Sequence, residues 1–260
     1  MPTPIDLKSY QESPALNASG AKIILQSPLH YKQWLKEPQE DTPALKIGRL
    51  VHLASLEPQK YSKEVLTAPE CDRRTKVGKE LWENFTLALK PDQVAITQSE
   101  SELITNVAAS ARTGLAKISQ SMGDPEWIVE TPRYGKFEGI DIKGRPDLVL
   151  GDTVVDVKTT NEASPKAWGR DCVNFKYHLQ AAWYLHLVGA KRFLFVVVEK
   201  NPPYDWTIYE LDEQALAEGA KLMASACALY GECNLYKVFP GYPKNVQTLS
   251  LPKWGITLDV

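Results

Sequence analysis

The chain is poor in cysteine, has no excess of positive charge, and contains no apolar run long enough to cross a bilayer. Its four cysteines, Cys71, Cys172, Cys227 and Cys233, include no CxxC pair. That excludes a disulfide-dense scaffold and leaves reduced, partly buried thiols as the expectation. A formal net charge of −2 excludes a generic polycation, so any affinity for nucleic acid has to come from a local patch. No stretch approaches the roughly 18 apolar residues of a membrane span. The N-terminus, Met1-Pro2-Thr3-Pro4-Ile5-Asp6, lacks the basic-then-apolar layout of a secretory signal. Membrane association is not expected, and the cytoplasm is the expected compartment. Internal repeats, low-complexity tracts and linkers are missing too. What remains is 260 residues, 43% of them hydrophobic, enough for a substantial core and for one domain spanning residues 1–260.

Turn and cap signals divide the chain. Residues 1–25 read as an irregular N-terminal segment. Ser27-Pro28 opens a short helix through His30, Tyr31, Trp34 and Leu35. A second helix starts near Thr42-Pro43 and stops at Leu56-Glu57-Pro58. Two further helices are expected over Lys79–Leu89 and Ser99–Ile118. Strands are expected over Glu126–Thr131, Phe137–Leu150 and Thr153–Thr160, with a loop at Pro132-Arg133-Tyr134-Gly135-Lys136 between the first two. A helix over Phe175–Val188 leads to an apolar strand, Phe193–Val198, suited to a sheet interior. Trp206–Leu211 is a further strand, Asp212 caps a helix through Tyr230, and residues 238–260 form an extended arm. The sum is an α/β fold with a central mixed sheet flanked by helices.

The most informative stretch is Gly144–Lys158. If Gly151-Asp152 is a two-residue hairpin loop, Leu150 faces Thr153 and Asp147 lies opposite Asp156. Lys158 then projects from the aspartate face, while Leu148, Leu150, Val155 and Val157 line the other. Two opposed carboxylates repel unless a cation sits between them, so the pattern reads as a divalent-metal site with a lysine beside it. The carbonyl of Val157 points to the same region and supplies a third ligand. Lys158 would orient or deprotonate a water, or neutralise charge on a phosphorus centre. Arg145 faces Lys158 in this register, which suits a phosphate lying between them or, equally, a splayed solvent-exposed pair.

Upstream, Glu126 and Glu130 both fall on the aspartate face if Tyr134-Gly135 centres the turn, with Glu126 the nearer to Asp147. A third carboxylate would admit a second metal ion. Gly48 and His52 share a helix face, as do Gln180 and Tyr184. From spacing alone a packed imidazole and a polar helix edge explain these pairs as well as function does. Arg73 and Arg74 lie in a basic stretch that would bind phosphate or simply be solvated.

Pro146-Asp147 with Asp156-Val157-Lys158 resembles the signature of the PD-(D/E)XK nuclease superfamily, whose core is that of the restriction endonucleases. With Ser27-Pro28-Leu29-His30-Tyr31, Gly48-Arg49-Leu50-Val51-His52-Leu53, Arg73-Arg74-Thr75-Lys76, Gly144-Arg145-Pro146-Asp147 and Gln180-Ala181-Ala182-Trp183-Tyr184, the chain resembles the exonuclease VIII (RecE-type) branch and its phage-encoded relatives over about residues 27–190. The resemblance implies a Mg²⁺-dependent exodeoxyribonuclease, with Mn²⁺ able to substitute. It would resect linear double-stranded DNA from the 5′ end and leave a 3′ tail for recombination. It implies that His52 is a metal ligand beside Asp147, Asp156 and Val157, and that Gln180 and Tyr184 lie near the metal centre with Lys158 and Glu126. It also implies a homo-oligomeric ring, trimer or tetramer, and a single-strand annealing partner. Arg73, Arg74 and Arg145 are the expected DNA contacts. Relatives that hold an iron–sulfur cluster use four cysteines; Cys227 and Cys233 are too few and wrongly spaced, so no cluster is expected. Two other readings stay open: a structure-selective endonuclease with the same metal site, and a catalytically silent DNA-binding subunit.

Overall fold

A computed structural model describes residues 7–37 and 42–250. The parts of the N-terminal segment and C-terminal arm at residues 1–6 and 251–260 lie outside the described residues. The elements follow in chain order. Helices α1 (Leu7–Glu12), α2 (Ala18–Ile24), α3 (Pro28–Trp34), α4 (Pro43–Leu56) and α5 (Pro58–Glu64) lead to strand β1 (Val65–Thr67). Helix α6 (Lys76–Ala88), strand β2 (Val94–Ile96) and helix α7 (Gln98–Ser121) come next. Strands β3 (Ile128–Val129), β4 (Arg133–Phe137), β5 (Ile140–Gly144), β6 (Leu148–Leu150) and β7 (Thr153–Thr160) precede helices α8 (Pro165–Asn174) and α9 (Tyr177–Val188). Strands β8 (Arg192–Glu199) and β9 (Trp206–Glu210) and helix α10 (Glu213–Tyr236) complete the order.

Helix starts obey local chemistry. Ser27, Thr42, Thr75, Thr97, Ser164 and Asp212 each accept a backbone N–H of the first turn on the side-chain oxygen. Proline stands at the start of α3, α4 and α8, where its missing N–H costs nothing. Thr97 and Glu100 complete a reciprocal capping box on α7.

The central sheet has the order β3-β6-β7-β8-β9. Only β7 and β8 run parallel, and the crossover between them carries α8 and α9. Every residue of β7 from Thr153 to Val157 is buried, because helices cover both faces of the strand. On one face Leu148, Leu150, Val155, Val157, Leu194, Val196 and Val198 pack on Leu50, Val51, Ile104, Val107 and Leu115 of α4 and α7. On the other, Val149, Val154, Phe193, Phe195 and Val197 meet Trp168 and Ala181 of α8 and α9. A third apolar cluster joins α2, α3, α9 and α10 around Leu179, Trp183 and Met223.

Several expectations need correction. The N-terminal segment is ordered: Asn17 caps α2, and Leu16, Ala21 and Ile24 are buried. Leu16 also exchanges backbone hydrogen bonds with Asp141 and Lys143 beside β5. The polar sequence hid this because four buried apolar residues, Leu16, Ala18, Ala21 and Ile24, suffice once a strand and two helices cover them. Tyr134-Gly135 is not a turn but the middle of β4, and the chain reverses at Glu138-Gly139, where φ is +48° and +82°. The single strand expected over Phe137–Leu150 is interrupted at Arg145-Pro146-Asp147, where Pro146 has no N–H to give a ladder. Helix α8 lies in what was read as a connection, and α10 runs six residues past Tyr230, to Tyr236. Residues 238–250 form no helix or strand.

Helix α9, which carries Gln180 and Tyr184, is set by α10. A methyl at Gly219 of α10 would run into the backbone carbonyl of His178. Gly219→Ala is expected to push the two helices apart and lose about 2 kcal/mol of stability, read as a lower urea midpoint with an unchanged slope.

Candidate active site

Asp147 occupies the break between β5 and β6. The ladder pairs Leu150 with Thr153 and Leu148 with Val155, as expected, and then ends. Asp147 is one step past the last pair. Instead of standing opposite Asp156 as a ladder partner, its carboxylate accepts the backbone N–H of Val157 on Oδ2 at 2.8 Å. This turns the side chain toward the edge of β7. The N–H and C=O of one strand residue point the same way. The Val157 carbonyl is therefore aimed at that same edge, towards Asp147.

His52, on α4, reaches the same carboxylate: its Nδ1 lies 3.2 Å from Asp147 Oδ2. Burial of Ile47, Leu50, Val51 and Ala54 against the sheet fixes the rotation of α4 and so aims the imidazole. Glu130 completes the group, with its ligand atom and those of His52 and Asp147 all within 4.8 Å of one another. Glu130 follows the edge strand β3 with φ of +46°, a left-handed backbone that is costly for a residue other than glycine. Its N–H donates to the Asp147 carbonyl at 3.0 Å, and Arg145 Nε bonds its carboxylate at 2.8 Å. Glu126, the preferred expectation, is exposed and lies outside this group; its rival Glu130 is the residue brought in. The turn one hairpin further on, at Glu138-Gly139, is the physical reason for the change. Arg145 likewise faces Glu130 rather than Lys158, because the ladder no longer reaches it.

Asp156 is fully buried and has other partners. Lys158 Nζ is hydrogen-bonded to its Oδ2, and Gln180 Nε2 donates to Oδ1 at 2.7 Å. Tyr184, one turn beyond Gln180, packs its ring on Gly144; a methyl there would lie 2.8 Å from the ring carbon Cε1. Burial, with Asp156 and Asp147 nearby, holds the Tyr184 phenol well above its ordinary range, so it is a neutral donor.

Electrostatics separate the acids. Burial raises the Asp156 carboxyl despite the Lys158 ammonium beside it. For Asp147 burial acts the same way but is outweighed by the charge and hydrogen bond of His52, so its carboxyl falls. His52 responds in turn: burial opposes its charge, and the Asp147 carboxylate more than restores it. Burial and the Asp147 charge push Glu130 up to about 7, against the opposing pull of Arg145. A carboxyl raised in the folded state favours folding while protonated, and that contribution disappears as pH rises through about 7. In EDTA, stability is therefore expected to fall between about pH 4.5 and 7, by up to about 3 kcal/mol from this group. Urea titrations of the wild type and Glu130→Gln check it: the variant should lack this share of the slope.

The group suits a divalent cation. Two carboxylates and an imidazole converge, the Val157 carbonyl faces them, and one carboxylate is driven to hold a proton when no cation relieves the crowding. It opens into a cleft of about 1210 Å³. Arg49, Lys60, Arg145, Lys158, Arg170 and Lys200 line that cleft together with Glu57, Glu64, Glu130, Asp147, Glu162 and Asp171, so its basic groups are matched by acids before any cation binds. Gly48 also lines it, and a methyl there would meet only Thr159 Oγ1, at an ordinary 3.9 Å. Packing within the chain does not require that glycine, so the space belongs to the cleft. Arg73 and Arg74 are not brought to the cleft walls: Arg74 pairs with Asp72 and Arg73 stacks 4.4 Å over Trp82. The added arginines and lysines come from α4, α5, α8 and the end of β8, and no spacing in the sequence links them.

Residues 17–252 match the family described as "PDDEXK-like domain of unknown function (DUF3799)". Among solved structures, one from Eubacterium rectale, described only provisionally as an exonuclease, is similar with a TM-score of 0.62 at 15% identity, covering 98% of this chain and all of that one. An alkaline exonuclease from Laribacter hongkongensis is 14% identical over 86% of this chain and 91% of its own, with a TM-score of 0.39. A phage-related exonuclease from Haemophilus somnus is 13% identical over 88% and 98%, also at 0.39. The first establishes a shared fold; the other two are too distant to carry weight. No curated protein sequence matches the chain.

Proposed function

The chain belongs to the PDDEXK-like domain family DUF3799, and on that premise we propose that it is a Mg²⁺-dependent exodeoxyribonuclease acting on linear duplex DNA. The observation that carries this reading is the convergence of His52, Glu130 and Asp147 beside Lys158 in one cleft whose walls also carry Arg49, Arg145 and Arg170. Asp147, Glu130, His52 and the Val157 carbonyl are the groups that would hold the cation, with Asp156 at its Lys158 side. A bound Mg²⁺ supplies charge neutralisation at the scissile phosphate and a more acidic water.

The remaining roles fall to the chain's own groups. Lys158 presents an ammonium to the cleft, held by Asp156, where it can donate to a phosphate oxygen or to the attacking water. Gln180 fixes the other oxygen of Asp156, and Tyr184 closes the site against Gly144. Arg145, bound to Glu130, stands where a DNA phosphate would pass; Arg49 and Arg170 extend that track.

The finer reading is resection from the 5′ end to leave a 3′ tail, by a ring of three or four copies working in the cytoplasm beside a single-strand annealing protein. The fit between a modest net charge and encirclement supports the ring, since topology replaces tight binding. Duplexes labelled separately at each 5′ and 3′ terminus test polarity, with covalently closed circles in parallel. Early release of 5′ label with intact circles is the expected result. Nicked circles would favour the endonuclease reading, and no cleavage of either substrate with Mg²⁺ or Mn²⁺ would favour a silent DNA-binding subunit.

A further inference from the structure

Lys22 was not among the residues singled out in the sequence, yet its ammonium lies beside the site. From α2, Lys22 Nζ donates to Gln180 Oε1 at 3.2 Å and sits 5.1 Å from the centroid of the Tyr177 ring. The Lys158 ammonium lies at the same distance from that ring. Burial, with Lys158 nearby, lowers the Lys22 amine to about 7.

The chemistry of the Gln180 amide explains what Lys22 does. Asp156, when ionised, accepts hydrogen bonds and cannot donate them. The amide nitrogen must therefore face Asp156, as it does at 2.7 Å, and the amide oxygen must face a donor on the other side. Lys22 is that donor. Remove it and the amide oxygen loses its partner; only Asp156 then holds the amide, and the oxygen can find a new donor only by turning the side chain away from Asp156. Asp156 would then lose the bond on Oδ1 that leaves Oδ2 to Lys158. Lys22 also belongs to a different packing unit, α2, whose Ala21 and Ile24 are anchored in the cluster with Leu179 and Trp183 of α9. The ammonium is thus held against the amide by the fold rather than by its own flexible stem.

We propose that Lys22 is a positioning residue for the Asp156–Lys158 pair, acting through the Gln180 amide. The proposal rests on the nuclease reading for its kinetic consequence, but its structural core does not. Two measurements keep these separable. In single-turnover digestion of linear duplex at saturating Mg²⁺, Lys22→Met is expected to lower the rate constant about tenfold and to leave the DNA concentration at half-saturation unchanged. Lys22→Arg, which keeps a donor, should recover most of the loss. Because Lys22 acts through Gln180, the double variant Lys22→Met/Gln180→Met should be no slower than Gln180→Met alone. Multiplying losses, or an undiminished rate in Lys22→Met, would overturn the role.

The second measurement is independent of activity. In the metal-free protein, the side-chain amide of Gln180, assigned by its disappearance in Gln180→Met, should shift and broaden in Lys22→Met and remain near its wild-type position in Lys22→Arg. An amide resonance unmoved by Lys22→Met refutes the proposal even if the rate falls. A wild-type protein that cuts no DNA, with the amide shift present, refutes the nuclease reading and leaves the positioning contact standing.

Discussion

Lys158→Ala is expected to lower DNA hydrolysis by about 10³-fold while sparing both DNA binding and cation binding. Its ammonium is the cationic partner hydrogen-bonded to the buried Asp156, and its side chain is only 14% exposed. Without it the Asp156 carboxyl, already raised by burial, takes up a proton, so the site loses both a donor and a charge. Gel-shift titration in Ca²⁺ and single-turnover cleavage in Mg²⁺ separate the two effects. Equal losses in both would mean that Lys158 holds the duplex rather than assisting cleavage. A rate within tenfold of wild type would remove it from the chemistry.

Asp147→Asn should act one step earlier, on the cation itself. The Asp147 carboxylate is the shared partner of His52 and of the Val157 N–H, and its mean charge is what raises His52. An asparagine can still accept the Val157 N–H on its amide oxygen, so the end of β7 keeps its bond and the fold survives. That oxygen also lies against His52 Nδ1, so the amide nitrogen replaces the other carboxylate oxygen, where it can only donate and cannot ligate a cation. Mn²⁺ affinity, followed by calorimetry, is expected to fall by at least about 100-fold, with cleavage lost in proportion. Saturating Mn²⁺ should restore part of the cleavage, because a loss of affinity is offset by concentration. Unchanged Mn²⁺ affinity would disconnect Asp147 from the cation group and leave it a structural cap on the strand.

Both predictions concern residues that local pairing rules bring together. Gly151-Asp152 fixes a two-residue turn, and alternation does the rest: Leu150 faces Thr153, and Leu148 and Val155 share the core face. Caps and prolines likewise place α3 and α4 to within a residue, because their signals act over one helical turn. Errors begin where a competing contact is distant. The placement of Glu126 failed on the hairpin between β4 and β5, where Gly135 is a strand residue, at which a methyl would lie 3.1 Å from Leu187 Cδ2, rather than a turn glycine. Nothing within five residues of Gly135 announces that contact.

The cation group and its support were divided in the same way. Asp147, Asp156, Val157 and Lys158 come from one hairpin, so local pairing rules bring them together. His52, Gln180 and Tyr184 were noticed as helix-face pairs, but spacing alone could not aim them at Asp147 or Asp156. Glu130, Arg145 as its partner, Arg49, Arg170 and Lys22 are joined to the site by the packing of α2, α4 and α8 around the sheet.

Local pattern was thus sufficient for the β6–β7 hairpin, the helix caps, the central sheet flanked by helices, and the nearness of Asp147, Asp156 and Lys158. Only the packed chain decided which glutamate joins the cation group, where Asp147 directs its carboxylate, and which lysine meets the Gln180 amide. The reason is the range of the forces involved. Caps, turns and strand alternation are settled within a few residues, whereas burial, charge crowding and amide orientation depend on whichever surfaces the core presses together.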